Sequence, residues 1–224
     1  MGQTIGDILP LAIGVAISPV PIIAVILMLF SDRARANSLS FLAGWIVGIV
    51  AGLVIVIALA GTADLSTGGE PSTRSSWVRI VLGILLLLLA AREWRGRPAP
   101  GAEVPMPGWM KRIDELKPGG AIGLGLLLSV VNPKNLLLIV GAGVTIAQAA
   151  LSTGDEVVTI LVFTVLGACT VALPTLAYLI GGARVQPSLD AAKAWLSIHN
   201  AAVMAVLLLV FGVTLFGKGL GGLL

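Results

Sequence analysis

Long apolar stretches alternate with short polar segments along the whole 224-residue chain. A helix needs about 20 apolar residues to cross the hydrocarbon core of a bilayer. Six stretches approach or exceed that length, and we expect each to be a membrane-spanning helix. They cover residues 8–30, 39–60, 77–91, 121–150, 157–180 and 198–216. The third is the shortest, and we expect Arg79 near its start to reach the membrane interface. The pattern therefore predicts an all-α integral membrane protein with six transmembrane helices.

Proline interrupts two of these spans near their middles, at residues 18–21 in the first and at residues 132–135 in the fourth. Pro19 and Pro133 lie 114 positions apart, which is about half the chain. Proline removes a backbone donor and clashes with the preceding helical turn. Inside lipid, the freed backbone groups need partners from protein, water or ligand. Matching breaks in two halves of a chain indicate a transporter with its binding site at the broken helices.

Basic residues are concentrated in the segments that follow the first, third and fifth predicted spans. These segments contain ten Lys and Arg residues, and the other side of the membrane has three. Because basic residues favour the cytoplasmic side, we expect both termini outside the cytoplasmic membrane. Three spans per half would insert the second half upside down relative to the first, which is an inverted repeat. The expected units are residues 1–91, a cytoplasmic linker 92–120 and residues 121–224.

The linker has two parts. Residues 96–108 are rich in Pro and Gly and are expected to be irregular. Trp109, Ile113 and Leu116 then follow at helical spacing, with basic residues on the opposite face. This pattern predicts a short amphipathic helix on the cytoplasmic leaflet. A charged linker that is only anchored by its tryptophan is the alternative.

Composition narrows the kinds of chemistry that the chain can support. Hydrophobic residues make up 57% and charged residues 11%, as expected for a membrane protein, and the net charge of +3 gives no reason to expect nucleic acid binding. Cys169 is the only cysteine, which excludes a paired-thiol site within one chain. His199 is the only histidine, which excludes a multi-histidine metal site. We expect no cofactor and, since no nucleophile and base occur in a recognisable arrangement, no enzymatic activity.

Lys134 is the ionisable residue deepest in any predicted span. It follows Ala121 by 13 residues, about 20 Å along a helix. A charge at that depth is costly unless it is paired or hydrated, and such residues are usually functional. One interpretation is a binding site for an anionic group, or a proton-linked switch. The structural alternative is a lysine that caps carbonyl groups freed by Pro133.

The two breaks are expected to face a shared cavity, because half-helix N-termini carry partial positive charge and favour anionic or polar groups. Asn and Ser side chains beside the breaks add donors and acceptors, and Thr170 is placed in the wall of that cavity. The candidate substrate-binding residues are Lys134, Asn132, Pro133, Asn135, Ser18, Pro19, Pro21, Ser129 and Thr170.

Two further patterns concern packing. Gly44, Gly48 and Gly52 repeat every fourth residue, which allows a close helix approach. Internal packing is the favoured interpretation, and a homo-oligomer contact is the alternative. Most tryptophans lie near predicted span ends, as in an aromatic belt.

Several segments resemble the GAP family, the actinobacterial peptidoglycolipid- or sulfolipid-addressing proteins of the lysine-exporter superfamily. The similar segments are residues 9–24 with SPVPIIA at 18–24, FLAGW at 41–45, residues 129–138 with the NPKN core, and FGV at 211–213 through GKGL at 217–220. Amino-acid exporters of the superfamily usually have Pro-Gly-Pro in the first span, and Val20 replaces that glycine here. This departure fits the GAP branch.

The resemblance implies export across the cytoplasmic membrane. We expect a secondary exporter whose cargo is a lipid, a glycolipid or an anionic amphiphile. Export of amino acids or other small solutes is one alternative. A non-transporting accessory protein for surface-lipid export is another.

Overall fold

The computed structural model describes residues 1–62, 66–67, 70–71, 73–97, 108 and 110–223. Most of this part of the chain is helical. The α-helices are α1 (Gly2–Ala16), α2 (Pro19–Leu29), α3 (Ala34–Thr62), α4 (Thr73–Arg95), α5 (Pro118–Val130), α6 (Pro133–Gln148), α7 (Thr153–Gly181) and α8 (Gln186–Gly221). Two 3-10 helices occupy Met110–Glu115 and Gly182–Val185. A short antiparallel ladder pairs Ser66–Thr67 with Glu70–Pro71.

Several of these helices can cross a membrane. By length and composition, α3, α4 and the helical stretch Thr153–Gly221 each qualify alone. The pairs α1–α2 and α5–α6 qualify when each is taken as one bent span, which raises the count for the described residues from three to five. The chain is therefore a membrane protein, although this count is lower than the six spans predicted. The last stretch contains both α7 and α8, which are separated by Gly182 with φ +56°. That backbone region favours glycine.

Both predicted breaks are confirmed. The axes of α1 and α2 differ by 51°, and those of α5 and α6 by 65°. At each break a residue with extended backbone, Ser18 or Asn132, precedes a proline in the first helical turn. Proline suits that position because its fixed φ matches the helix and its missing donor is not needed there. The local sequence therefore ends one helix and begins the next within a few residues.

Helix α1 packs antiparallel to both α8 and α6. Asp7 pairs with Lys218 near the start of α1, and Gly14 lies against Phe211 further along. On the other side, Gly141 lies near Leu11. The direction of α6 is thus also opposite to that of α1, because Lys134 at its start meets the end of α1.

Helix α3 packs parallel to α5 and α6 through its glycine stripe. A Cβ atom on Gly44 would lie 2.1 Å from the Ile122 carbonyl oxygen, and one on Gly48 would lie 1.8 Å from the Ser129 Oγ. Gly52 faces Ile139. The stripe therefore has the internal packing role that the sequence favoured.

Helices α4 and α8 form the most extensive pair, running antiparallel, with Ile80 against Gly219 and Gly83 against Phe216. Helix α4 spans 23 residues, longer than the predicted 77–91, so Arg79 lies in its second turn. Its guanidinium contacts Gln148 at the end of α6.

One tryptophan, Trp45, does not follow the predicted aromatic belt. Trp45 is completely buried in α3, stacks on Phe41 and donates from Nε1 to the Gly167 carbonyl at 3.1 Å. It is therefore not part of an aromatic belt. Trp77 and Trp195, by contrast, are more than half exposed.

The linker is partly described. Its 3-10 helix packs against α2, and the Met110 and Ile113 side chains are buried in the core. Asn37 Nδ2 also donates to the Leu116 carbonyl at 2.9 Å. The apolar positions of this segment thus contact the protein itself. Trp109 and most of the Pro- and Gly-rich stretch predicted to be irregular lie outside the described residues.

Candidate functional site

The end of α1 has carbonyl groups without their usual helical partners. In a continuous helix the Ile17 carbonyl would accept a hydrogen bond from the N–H of residue 21. Residue 21 is proline and has no N–H. The carbonyl of Gly14 loses its partner as well, because the Ser18 N–H bonds the Ala16 carbonyl at 2.8 Å instead. The first break therefore leaves backbone acceptors that need donors from elsewhere.

Lys134 supplies these donors. Its Nζ donates to the Gly14 carbonyl at 2.6 Å and to the Ile17 carbonyl at 2.9 Å. The side chain is 1% exposed, and within the described part of the chain it forms no ion pair with a carboxylate. A cation at the C-terminal end of α1 also complements the helix dipole. The lysine thus caps carbonyls, as the structural alternative proposed, but they belong to the first break and not to Pro133.

Three other predicted residues lie at or beside this contact. Thr170 of α7 donates from Oγ1 to the Ala16 carbonyl. Ser18 donates from Oγ to Asn135 Oδ1 at 3.4 Å, and Asn135 Nδ2 donates to the Leu128 carbonyl at 3.1 Å. Side chains of the second half, Lys134 and Thr170, therefore satisfy carbonyls of the first break, and Asn135 satisfies a carbonyl beside the second.

The remaining predicted residues are divided between packing positions and a groove. Pro19 and Pro21 are buried in the first turn of α2. Ser129 donates to the Leu126 carbonyl and packs against Gly48 of α3. Asn132 caps α6, since its Oδ1 accepts from the Lys134 N–H at 3.1 Å. Asn132 and Pro133 are partly exposed and line the groove described next.

A groove of about 480 Å³ reaches the second break between α2, α4, α5 and α8. Its walls are mainly apolar, and its polar groups are Glu93, Asn132 and Asn200. The buried Oδ1 of Asn200 has no hydrogen-bond partner within the described chain. A smaller groove of about 360 Å³, lined by leucines and Arg92, begins on the other side of Pro133.

No pattern in the sequence indicated Glu93 or Asn200. Glu93 lies two residues after the predicted third span and Asn200 near the start of the sixth, far from either break along the chain. The groove also differs from the expected anion site, because the Lys134 ammonium is buried on carbonyls and the groove contains a carboxylate. Among the described residues, no three of His, Cys, Asp or Glu are placed to hold a metal ion.

Comparison with known proteins gives a family and no individual relative. No curated protein and no solved structure matches the chain. The sequence model of one family, described as Sap, sulfolipid-1-addressing protein, matches residues 8–221. The matched region includes both breaks, Lys134 and the groove. The chain belongs to the sulfolipid-1-addressing protein family.

Proposed function

We propose that this protein is a secondary exporter that moves an amphiphilic lipid across the cytoplasmic membrane. The observation that carries the proposal is the groove at the second break. It combines mainly apolar walls with three polar side chains, as an acyl chain and a polar headgroup require. The family description, which names a sulfolipid, supports a lipid cargo. Binding and export require no enzymatic step.

Six crossings are the topology that best fits the helix directions. The stretch from α7 through α8 is 69 residues long, about 104 Å as a helix, whereas a bilayer core is about 30 Å thick. Two crossings joined at Gly182 account for that length. The antiparallel contacts of α1 with α6 and α8, and the parallel contact of α3 with α5, are those that six alternating crossings produce.

An inverted repeat is supported by corresponding helix contacts in the two halves. Helix α3 packs on the broken pair α5–α6, and α7 packs on the broken pair α1–α2. Likewise α8 contacts α2, and α4 contacts α6. The α4–α8 pair then lies on the two-fold axis. The capping is asymmetric, because the lysine at the second break has no counterpart at the first.

The orientation derived from the basic segments puts the groove in the inner half of the membrane. Glu93 and Asn200 lie near the ends of α4 and α8 that follow or adjoin basic segments. Asp7 and Lys218 are at the opposite end of the molecule, in agreement with both termini on the same, outer side. The groove would accordingly receive cargo from the inner leaflet.

A non-transporting accessory role is the second candidate, and one observation favours it. Lys134 is satisfied by backbone carbonyls and needs no cargo to stabilise its charge. Such a contact would serve a scaffold that assists a separate lipid exporter equally well.

Transport can be tested with the purified full chain in proteoliposomes that contain a fluorescent glycosyl diacylglycerol. We expect transbilayer movement above that of protein-free liposomes. Val131→Trp fills the groove and should reduce the rate at least tenfold. The matched control is Val165→Trp, because Val165 is 67% exposed and Val131 is 62% exposed, but Val165 lies on α7 away from the groove. An equal rate in Val131→Trp contradicts the groove assignment. No movement by the unmodified protein contradicts transport and favours the accessory role.

A further inference from the structure

A second polar contact lies at the other end of α6 from Lys134. Gln148, the last residue of α6, accepts a hydrogen bond at Oε1 from Arg79 Nη2 of α4. Gln148 follows Lys134 by 14 residues, about 21 Å along a helix. This contact is therefore separate from both the first break and the groove.

The contact leaves several buried hydrogen-bond donors available. Arg79 Nε and Gln148 Nε2 are buried and have no hydrogen-bond partner in the part of the chain that the structure describes. Ser76 Oγ, one helical turn before Arg79, is in the same condition, and Ser76 is fully buried. Gln148 is 8% exposed. Buried polar groups are normally hydrogen-bonded, so unsatisfied ones require an explanation.

Among the described side chains that interact with this cluster, the summed charge is positive. Asp7 is the acidic group that interacts with Arg79, but Asp7 also forms an ion pair with Lys218. That pair is neutral in sum, which leaves the Arg79 guanidinium as the excess charge. The two nitrogens that lack acceptors belong to side chains already joined by a hydrogen bond, and the atoms therefore lie within a few ångströms of each other.

We propose that Arg79, Gln148 and Ser76 form a binding site for an oxyanion, such as a phosphate, sulfate or carboxylate group. An oxyanion supplies several acceptor oxygens, and guanidinium N–H groups bind it through charge-assisted hydrogen bonds. Such a group can belong to a lipid headgroup or to a free anion. The proposal concerns binding alone and does not depend on transport through the groove.

Binding can be measured with the purified full chain in nanodiscs of phosphatidylcholine. Inorganic phosphate and sulfate are titrated by calorimetry, and the retention of phosphatidylglycerol in mixed nanodiscs is measured by native mass spectrometry. Saturable binding of the inorganic anions identifies a free-anion site. Selective retention of phosphatidylglycerol without saturable binding of the inorganic anions identifies a headgroup site. Either outcome supports the proposal, and the absence of both overturns it.

Variants locate the site. Arg79→Gln should weaken binding at least tenfold, because it removes the charge. Gln148→Glu preserves side-chain size, replaces a donor with an acceptor and should abolish binding, and it serves as a second variant if Arg79→Gln does not fold. Arg74→Gln is the matched control, since Arg74 is exposed five residues earlier on α4. A change of less than twofold is expected there. Equal losses in Arg74→Gln and Arg79→Gln would mean non-specific attraction and would overturn the proposal.

Discussion

Replacing Lys134 with methionine tests the capping of the first break. Methionine keeps the length and apolar stem of the side chain but removes the ammonium. Hydrogen bonds from charged donors contribute about 1.5–3 kcal/mol each, so losing the bonds to Gly14 and Ile17 costs about 3–6 kcal/mol. Removing a charge from the middle of a membrane also removes its cost of burial there, which stabilises the folded protein by about 3 kcal/mol. The net expectation is a loss of about 1.5 kcal/mol in the free energy of unfolding.

The assay is reversible unfolding in mixed micelles, combined with amide hydrogen exchange. We expect the loss in stability to be accompanied by faster exchange in the last turn of α1, by roughly tenfold, which is the equivalent of about 1.4 kcal/mol. The control is Lys193→Met, which removes an exposed ion pair with Asp190 and should change stability by less than about 1 kcal/mol.

Two results would refute the reasoning about Lys134. One is a Lys134→Met variant as stable as the unmodified protein or more so, which would mean that the carbonyl bonds do not outweigh desolvation. The other is unchanged exchange at the end of α1, which would mean that the carbonyls find other partners. The same variant in proteoliposomes separates structure from function. A folded variant that has lost lipid movement indicates that Lys134 also acts in transport.

The other predictions concern packing and orientation. Gly48→Ala should destabilise the protein by about 1–3 kcal/mol through overpacking, because its Cβ would meet the Ser129 Oγ at 1.8 Å; Gly217→Ala, which has open space, should have little effect on the unfolding midpoint. For orientation, after removal of the one native cysteine, Gly217→Cys should react with an impermeant thiol reagent outside intact cells, and Ala192→Cys should not. The reverse labelling pattern would overturn the proposed topology.

The breaks could be predicted from the sequence because their cause is local. Proline has no N–H and a fixed φ wherever it occurs, so Pro19 and Pro133 mark the helix ends without knowledge of the fold. The unusual depth of Lys134 was also apparent, since it depends only on the length of the span. Each of these features depends on one span of about 20 residues. The regular rise of a helix then gives the depth of a residue directly from its place in that span.

The partners of those residues could not be predicted, because they depend on which helices are neighbours. Lys134 bonds carbonyls 117 and 120 residues away, and Trp45 bonds a carbonyl 122 residues away. Glu93 and Asn200 come together only because α4 and α8 pack side by side. Such contacts follow from helix packing, where Gly48 and Gly83 permit close approach, and nothing in the local pattern distinguishes one partner helix from another.

The reach of Lys134 into the first half also has a consequence for biogenesis. The Gly14 carbonyl is synthesised 120 residues before the lysine that bonds it. At about 5–20 residues per second, that interval corresponds to roughly 6–24 seconds of translation. During this time the nascent α1–α2 pair presents uncapped carbonyls, so it is expected to remain beside the insertion machinery or its water-filled passage. The first half would then be released into lipid only once α6 has been synthesised.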